Sequence, residues 1–397
     1  MTDMTQSSRS TLITGIGQLV TNDPERGPGQ LGVVHDAALV MADGRIEWVG
    51  AQNDAPQADE SLNVAGHAVL PGWVDSHTHL VFAGDRAAEF TARMSGQPYQ
   101  AGGMRASVDA TRAADDETLG RLVADRIGTM HAAGTTCIET KTGYGLTAAD
   151  EARSARIAAA AGADDVTFLG AHVVPTEYDG DRAGYLGLVT GPMLAAVAGS
   201  ARWIDVFCET GAFDEDESRR VLAAGRAAGL GLRVHGNQLG PGPGVRLAVE
   251  MGAASVDHCT YLTDADIDAL AGSATVATLL PATDLSTRQP PAPGRRLVDA
   301  GASIALATNC NPGTSYTASM PLVIALAVLQ CGLTAAEAVH AATAGGARAL
   351  HREDVGTIRP GARADVQVIG APTIDHIAYR LGGVRTRAVW RAGKRVA

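Results

Sequence analysis

Cysteine is scarce and scattered. Five cysteines, at positions 137, 208, 259, 310 and 331, make an odd number with wide gaps and no C-x-x-C pair. That excludes a disulfide framework and a thiolate zinc site, and it fits a reducing cytosol. Basic charge is also in short supply: 32 Lys plus Arg stand against 43 Asp plus Glu, a formal net charge of −11, with no long Lys/Arg block. Nucleic acid and anionic membranes are therefore not expected as partners. Long apolar runs are missing too. The most apolar stretch, Met320–Leu329, is ten residues, too short to span a bilayer, and reads as a buried helix. The opening MTDMTQSSRSTLITG lacks a basic segment followed by an apolar stretch and a cleavage site, so no secretion signal is expected and a cytoplasmic location follows.

What is present is the balance of a globular protein, 46% apolar and 19% charged. Its 397 residues exceed the roughly 250 of a single α/β barrel by about 150. Between residues 70 and 310 a short apolar or β-branched run, a turn and an Ala-rich stretch recur. The runs are Gly72–His77, Thr135–Lys141, Val166–His172, Trp203–Cys208, Leu230–His235, Ala254–His258, Thr275–Leu280 and Ser303–Thr308. Between them, Glu117–Ala132, Ala148–Ala161, Asp216–Ala228 and Asp264–Ala271 read as helices ending near Gly. Eight such units predict a closed (β/α)8 barrel of TIM type, class α/β, with chemistry at the C-terminal strand ends. Polar residues crowd those ends: His77, His79, Lys141, His172, Glu209, His235, His258 and Asn309.

The two ends of the chain read as β-hairpins. Thr11–Val20, Ala37–Met41 and Arg45–Val49 surround the turn Ala42-Asp43-Gly44, and Asp365–Ile369, Arg385–Trp390 and Lys394–Val396 surround Arg391-Ala392-Gly393. We expect residues 1–68 and 356–397 to form one small β-sandwich domain beside a barrel of residues 69–355. The Pro-rich Gln289–Gly294 reads as a loop.

His77-Thr78-His79 is the sharpest feature. At the strand period of two its imidazoles share a face, with Cα atoms about 6.6 Å apart, and can converge on one metal ion. Two histidines at that spacing are, taken alone, more often coincidence. Their context is Leu70-Pro71-Gly72-Trp73-Val74-Asp75 immediately upstream, and the whole motif resembles the metal-dependent amidohydrolase superfamily. His235, at another strand end, is a third ligand candidate.

The resemblance narrows through Gly84-Asp85-Arg86, Lys141-Thr142-Gly143-Tyr144-Gly145, Gly170-Ala171-His172-Val173-Val174-Pro175, Asp205-Val206-Phe207-Cys208-Glu209, His235-Gly236-Asn237-Gln238-Leu239, Asn311-Pro312-Gly313 and Arg359-Pro360-Gly361-Ala362-Arg363-Ala364-Asp365. In this order, over nearly the whole chain, these segments are similar to the imidazolonepropionase family. Membership implies hydrolysis of the ring amide of 4-imidazolone-5-propanoate to N-formimidoyl-L-glutamate in histidine breakdown, by a metal-activated water with one zinc or iron ion. It implies a small-molecule substrate bearing a carboxylate, and it leans towards a homodimer.

The resemblance also distributes roles. Arg86 would hold the carboxylate, a task suited to a forked guanidinium, although a lone Arg is more often part of a surface ion pair. Tyr144 and His172 match further substrate contacts. Gln238 would read a ring nitrogen, and as an amide it donates and accepts but is a poor base. Asn311, Gly313 and Thr314 match the product-holding loop, whose backbone N–H groups are accessible where Gly permits close approach. His258 would polarise the carbonyl or orient the attacking water, against the alternative of a satisfied core histidine. Lys141 reads as a structural charge.

One position departs from the family pattern A-T-D-x-N-P-G, in which the Asp both ligates the metal and takes a proton. Here the segment is Ala307-Thr308-Asn309-Cys310-Asn311-Pro312-Gly313. Asn309 can coordinate weakly but carries no charge and cannot act as a base, a loss typically of about 100–10,000-fold in rate. Three neutral His ligands leave more positive charge on a metal, which acidifies its water and offsets part of that loss. The expectations are thus an imidazolonepropionase impaired by Asn309, another cyclic amide or amidine amidohydrolase, or a catalytically weak ligand-binding homologue.

Overall fold

A computed structural model of the chain describes residues 10–96 and 103–397. Its centre is a sheet of eight strands in sequential order: β1 (Trp73–Asp75), β2 (Thr135–Lys141), β3 (Asp165–Ala171), β4 (Trp203–Cys208), β5 (Gly231–Gly236), β6 (Ser255–His258), β7 (Val276–Leu279) and β8 (Ile304–Leu306). Every neighbouring pair is parallel. The eight runs read from the sequence are these eight strands, within one or two residues at most ends.

The sheet closes just beyond the strand ends. Asn309 donates its N–H to the carbonyl of His77 (3.0 Å), and His79 to that of Cys310 (2.9 Å). The Asp75 carboxylate clasps the same seam, accepting from the backbone N–H (3.2 Å) and the hydroxyl (2.6 Å) of Thr308. Strand β1 ends at Asp75 rather than His77, so the histidine pair lies in a short extended segment. That segment is pinned on one side by β8 and on the other by β2, where Lys141 N–H bonds to the Thr78 carbonyl (2.8 Å).

The helices outside the barrel follow their capping signals. Helices α1 (Asp116–Ala132), α2 (Ala148–Ala160), α3 (Glu215–Ala227) and α4 (Asp264–Ala271) begin after Asp115, Thr147, Asp214 and Thr263, each accepting an N–H of the first turn. Gly134, Gly162 and Gly229 follow the first three with φ of +95°, +99° and +82°, the left-handed stop that Gly adopts without strain. Gly272 after α4 keeps φ −86° and ends its helix without that turn. Helix α5 (Met320–Gln330) is the apolar run; most of it is buried, while Leu329 is 60% exposed.

Strands from both ends of the chain form two further sheets. In the six-stranded one, Val366–Ile369 pairs antiparallel with Thr386–Arg391 and with Ala68–Pro71, which joins the N-terminal Gln18–Val20. The four-stranded one contains Thr11–Ile16, Ala37–Ala42, Arg45–Ala51 and Glu60–Asn63. Ile13, Leu39, Ile46, Val69, Val366 and Trp390 share a core separate from the barrel's. This is the small β unit expected from the termini.

Two details differ from the sequence reading. The run Thr11–Val20 is two strands in different sheets, broken at Gly17, where a Cβ would lie 2.3 Å from the Gly66 carbonyl oxygen. The short strands Val33–Val34 and Glu60–Asn63 carry too little apolar alternation to be read in advance. Both hairpin turns hold: Asp43 and Gly44 have φ +51° and +76°, and Ala392 and Gly393 have +48° and +74°.

Candidate metal centre and substrate pocket

Three imidazoles from distant parts of the sequence converge at the C-terminal rim. The ligand nitrogens of His77, His79 and His235 all lie within 4.8 Å of one another. Nε2 of His79 is 3.3 Å from Nε2 of His77 and 3.4 Å from Nε2 of His235. The far nitrogens of two of these rings face carboxylates. His77 Nδ1 is 2.6 Å from Asp257 Oδ2, and His235 Nδ1 is 3.0 Å from Asp205 Oδ2.

The His77–Asp257 hydrogen bond assigns that ring's proton to Nδ1; His235 Nδ1 is near Asp205 without hydrogen-bond alignment, and with the same tautomer there the Nε2 lone pairs of both rings point into the same small space as Nε2 of His79. A single proton on His79 cannot satisfy both. A cation satisfies all three, and nitrogens around a tetrahedral zinc at about 2.0–2.1 Å stand about 3.3–3.4 Å apart. The donor set and its spacing therefore fit a divalent metal.

Burial keeps the His77, His79 and His258 rings neutral. His77 is held down to about 3, first by burial and then by the nearby Lys141 ammonium, with Asp257 opposing. Burial likewise holds His79 and His258 well below the usual histidine range. Asp257 stays ionised: burial pushes it up, but Arg233, His77 and Lys141 outweigh that and leave it well below the usual carboxylate range. Asp205 is lowered in the same way, burial being outweighed by His235 and Lys141.

His258, His172 and Tyr144 stand against this cluster. His258, the last residue of β6, has φ +84° and places its ring centroid 5.4 Å from that of His235 and 5.8 Å from that of His77. Its Nδ1 is buried with no hydrogen-bond partner among the described residues. His172 stacks on His79 with centroids 5.4 Å apart, held by its Nδ1 contact to the Gly143 carbonyl (3.0 Å), and burial brings its pKa down to about 3. Tyr144 is buried beside both rings, 6.2 Å from His79 and 5.5 Å from His172.

Gln238 is buried, and its backbone N–H donates to Glu209 (2.9 Å). Asn309 sits at φ +49°, a left-handed position that Asn tolerates better than most residues. Its Nδ2 donates to the Thr283 hydroxyl (2.9 Å), while its Oδ1 is buried with no hydrogen-bond partner among the described residues.

A cavity of about 400 Å³ is lined by Phe82, Arg86, Phe90, Gly313, Thr314 and Tyr316 among others, and by none of the imidazoles of the cluster. A larger one of about 730 Å³, near Asn22, Arg348 and Gly356, contains none of the expected site residues. Arg86 is buried, and two of its N–H groups bind Glu89 at 2.7 and 2.8 Å. A Cβ on Gly313 would lie 2.3 Å from Arg86 Nη1, so the guanidinium packs directly against the Asn311–Thr314 loop.

That loop is built differently from the sequence expectation. The N–H groups of Gly313 and Thr314, expected to face a ligand, both donate to Asn311 Oδ1 at 2.8 Å. Asn311 in turn donates to the Asn309 carbonyl (2.7 Å) and the Thr314 hydroxyl (2.8 Å). The reason is local: an Asn two or three residues before free amides closes an Asx turn.

Sequence reasoning passed over Asp257, Arg233 and Thr283, and it gave Asp205 no role of its own. The available signal was the alternation of charged residues along strands otherwise wholly buried.

A barrel with three inward histidines on one rim defines the class, that of the amidohydrolases. The model of the Amidohydrolase family matches residues 243–396. The fold is shared with a zinc- and atraton-bound mutant of the atrazine chlorohydrolase TrzN from Arthrobacter aurescens TC1, at TM-score 0.74, 18% identity and coverage of 97% of this chain and 94% of that one. It is shared also with a zinc-bound adenosine deaminase from Xanthomonas campestris, at TM-score 0.70, 20% identity and coverage of 97% and 92%.

Curated relatives are much nearer in sequence. An imidazolonepropionase of Saccharopolyspora erythraea is 63% identical over 98% of this chain and 99% of its own length. That of Streptomyces griseus subsp. griseus is 58% identical over 98% and 99%. The chain belongs to the imidazolonepropionase family.

Proposed function

We propose that this chain hydrolyses the ring amide of 4-imidazolone-5-propanoate to N-formimidoyl-L-glutamate, a step of histidine degradation, with one zinc or iron ion held by His77, His79 and His235 and approached by Asn309. The observation that carries this reading is the three-imidazole cluster, whose nitrogen spacing of 3.3 and 3.4 Å suits a cation, in a chain 63% identical to a named imidazolonepropionase. A divalent ion bound there supplies Lewis acidity, polarising the amide carbonyl and lowering the pKa of water.

The residues do the rest. Arg86, beside the cavity, takes the propanoate carboxylate; Glu89, already on its fork, orients it and must share it. Tyr144 and His172 flank the flat ring, and Gln238 hydrogen-bonds a ring nitrogen. His258, kept neutral by burial and with Nδ1 unpartnered among the described residues, bonds to the amide oxygen. Asn311, Gly313 and Thr314 shape the wall that holds the product. Hydrolysis adds the water oxygen to the carbonyl carbon, breaks the C–N bond and delivers a proton to the leaving nitrogen. Asn309 accepts no proton, so turnover is slower than in a chain with a carboxylate at this place.

The test is elemental analysis of the purified protein together with the loss of imidazolone absorbance. Expected are about one ion per chain, measurable turnover, and a rise in kcat of about 100-fold or more for Asn309→Asp. Arg86→Ala is expected to raise KM about 10–100-fold with less effect on kcat, matching the loss of a charged hydrogen bond. A metal-loaded protein with no turnover in either form overturns the assignment. A KM untouched by Arg86→Ala points to a ring without a carboxylate. The homodimer rests on the family resemblance and the cytoplasmic location on the few, scattered cysteines; sedimentation and fractionation test them.

A further inference from the structure

Beneath the three imidazoles lies a closed set of charges that the reaction does not touch. Glu139, Lys141, Asp205, Arg233 and Asp257 all have 0% exposure. They come from β2, β4, β5 and β6. Lys141 Nζ is 2.9 Å from Glu139 Oε1, 3.0 Å from Asp205 Oδ2 and 3.8 Å from Asp257 Oδ2. Arg233 adds a second cation to Asp257 at 3.3 Å, and Thr167 donates its hydroxyl to Glu139. Three carboxylates thus face two cations.

Wholly buried charge is costly even when paired, and here the two aspartates reach outward to the far nitrogens of His235 and His77, at 3.0 and 2.6 Å. Asn309 brings no charge to the rim. We infer that Asp205 and Asp257 are positioning residues for the metal centre: each fixes one imidazole in its Nδ1–H tautomer, aims its Nε2 at the cation and supplies negative charge at one remove. Lys141 and Arg233 hold the carboxylates in place. The inference rests on the metal reading proposed above. A carboxylate behind a ligating histidine raises its basicity, and losing one typically costs about 10–100-fold in metal affinity.

Two measurements on the full chain test it. The first is zinc affinity by competition with a chromophoric chelator, for the parent, Asp205→Asn and Asp257→Asn, each checked for folding by circular dichroism. Each variant is expected to bind zinc about 10–100-fold more weakly. The second needs no substitution: in zinc-loaded parent protein labelled with 15N-histidine, the protonated nitrogens of His77 and His235 are expected to be Nδ1, with N–H protons far downfield as carboxylate hydrogen bonds make them. Variants that bind zinc like the parent, or rings protonated at Nε2, overturn the inference while leaving the metal reading intact. A parent that binds no zinc or iron overturns both.

Discussion

Asp284 illustrates how much a single buried group in this barrel responds to pH. It accepts from the Thr260 hydroxyl (2.8 Å) and the Ala292 N–H (3.2 Å), yet burial outweighs those bonds and lifts its carboxyl from 3.8 to about 7. The folded state therefore holds this proton up to about pH 7, whereas the unfolded chain releases it near 3.8. The associated stability is present in full below the unfolded value and is lost as pH rises through 7, by up to about 4 kcal/mol. Asp284→Asn cannot ionise. Its amide can accept from the Ala292 N–H through Oδ1 and donate to the Thr260 hydroxyl through Nδ2, so its melting temperature relative to the parent is expected to climb between pH 5 and pH 8. Thermal denaturation across that range checks this, and a difference that does not change with pH contradicts it. Asp75, also raised to about 7 by burial, is common to both proteins and cancels.

At the scale of elements, the seam between first and last strands is the demanding joint. A π-helical turn over Ala341–Gly345 runs into a short helix over Gly346–Ala349. A Cβ on Gly345 would lie 2.3 Å from the Ile304 carbonyl oxygen of β8, and one on Gly346 2.3 Å from the Val74 carbonyl oxygen of β1. The glycine pair lets a helix backbone lie against both strands where the barrel closes. In an exposed helix Gly→Ala stabilises by about 1 kcal/mol. Gly346→Ala is expected to destabilise instead, by about 1–3 kcal/mol, because the obstructing atom is backbone and one of the two must shift. Urea unfolding reads the sign directly.

Across the whole molecule, the terminal β unit is fastened to the barrel by Asp164, which precedes β3. Its Oδ1 meets Arg363 at 2.5 Å and Arg391 at 3.1 Å, both from the C-terminal segment, and its Oδ2 accepts the Ile138 N–H of β2 (3.0 Å). The two guanidiniums also reach the Thr136 carbonyl, at 3.0 and 3.1 Å. Asp164→Ala removes the carboxylate that Arg391 faces and leaves Arg363 with Asp365 alone. The expected cost is roughly 2–4 kcal/mol, below the full penalty for a buried pair because both Arg side chains keep some solvent. Calorimetry is expected to show a lower melting temperature, and an unchanged one would mean that apolar packing alone holds the two parts.

The sequence by itself determined the barrel and much of its rim. Strand and helix periodicity, capping residues and turn glycines act over a few positions, so eight strands, four capped helices and two hairpins were legible. His77, His79 and Asn309 stood out because their motif is local. The tertiary structure alone decided what those residues touch. Asp205 and Asp257 lie 30 and 180 positions from the histidines they face, and only barrel closure brings them there. The Asn311 turn onto the Gly313 and Thr314 amides and the Arg86–Glu89 pair are local instead, two or three residues apart, and the sequence reading passed over both. Short-range pattern fixes an element; partners across the chain are chosen by packing, because a buried polar group must find its hydrogen bond wherever the fold provides one.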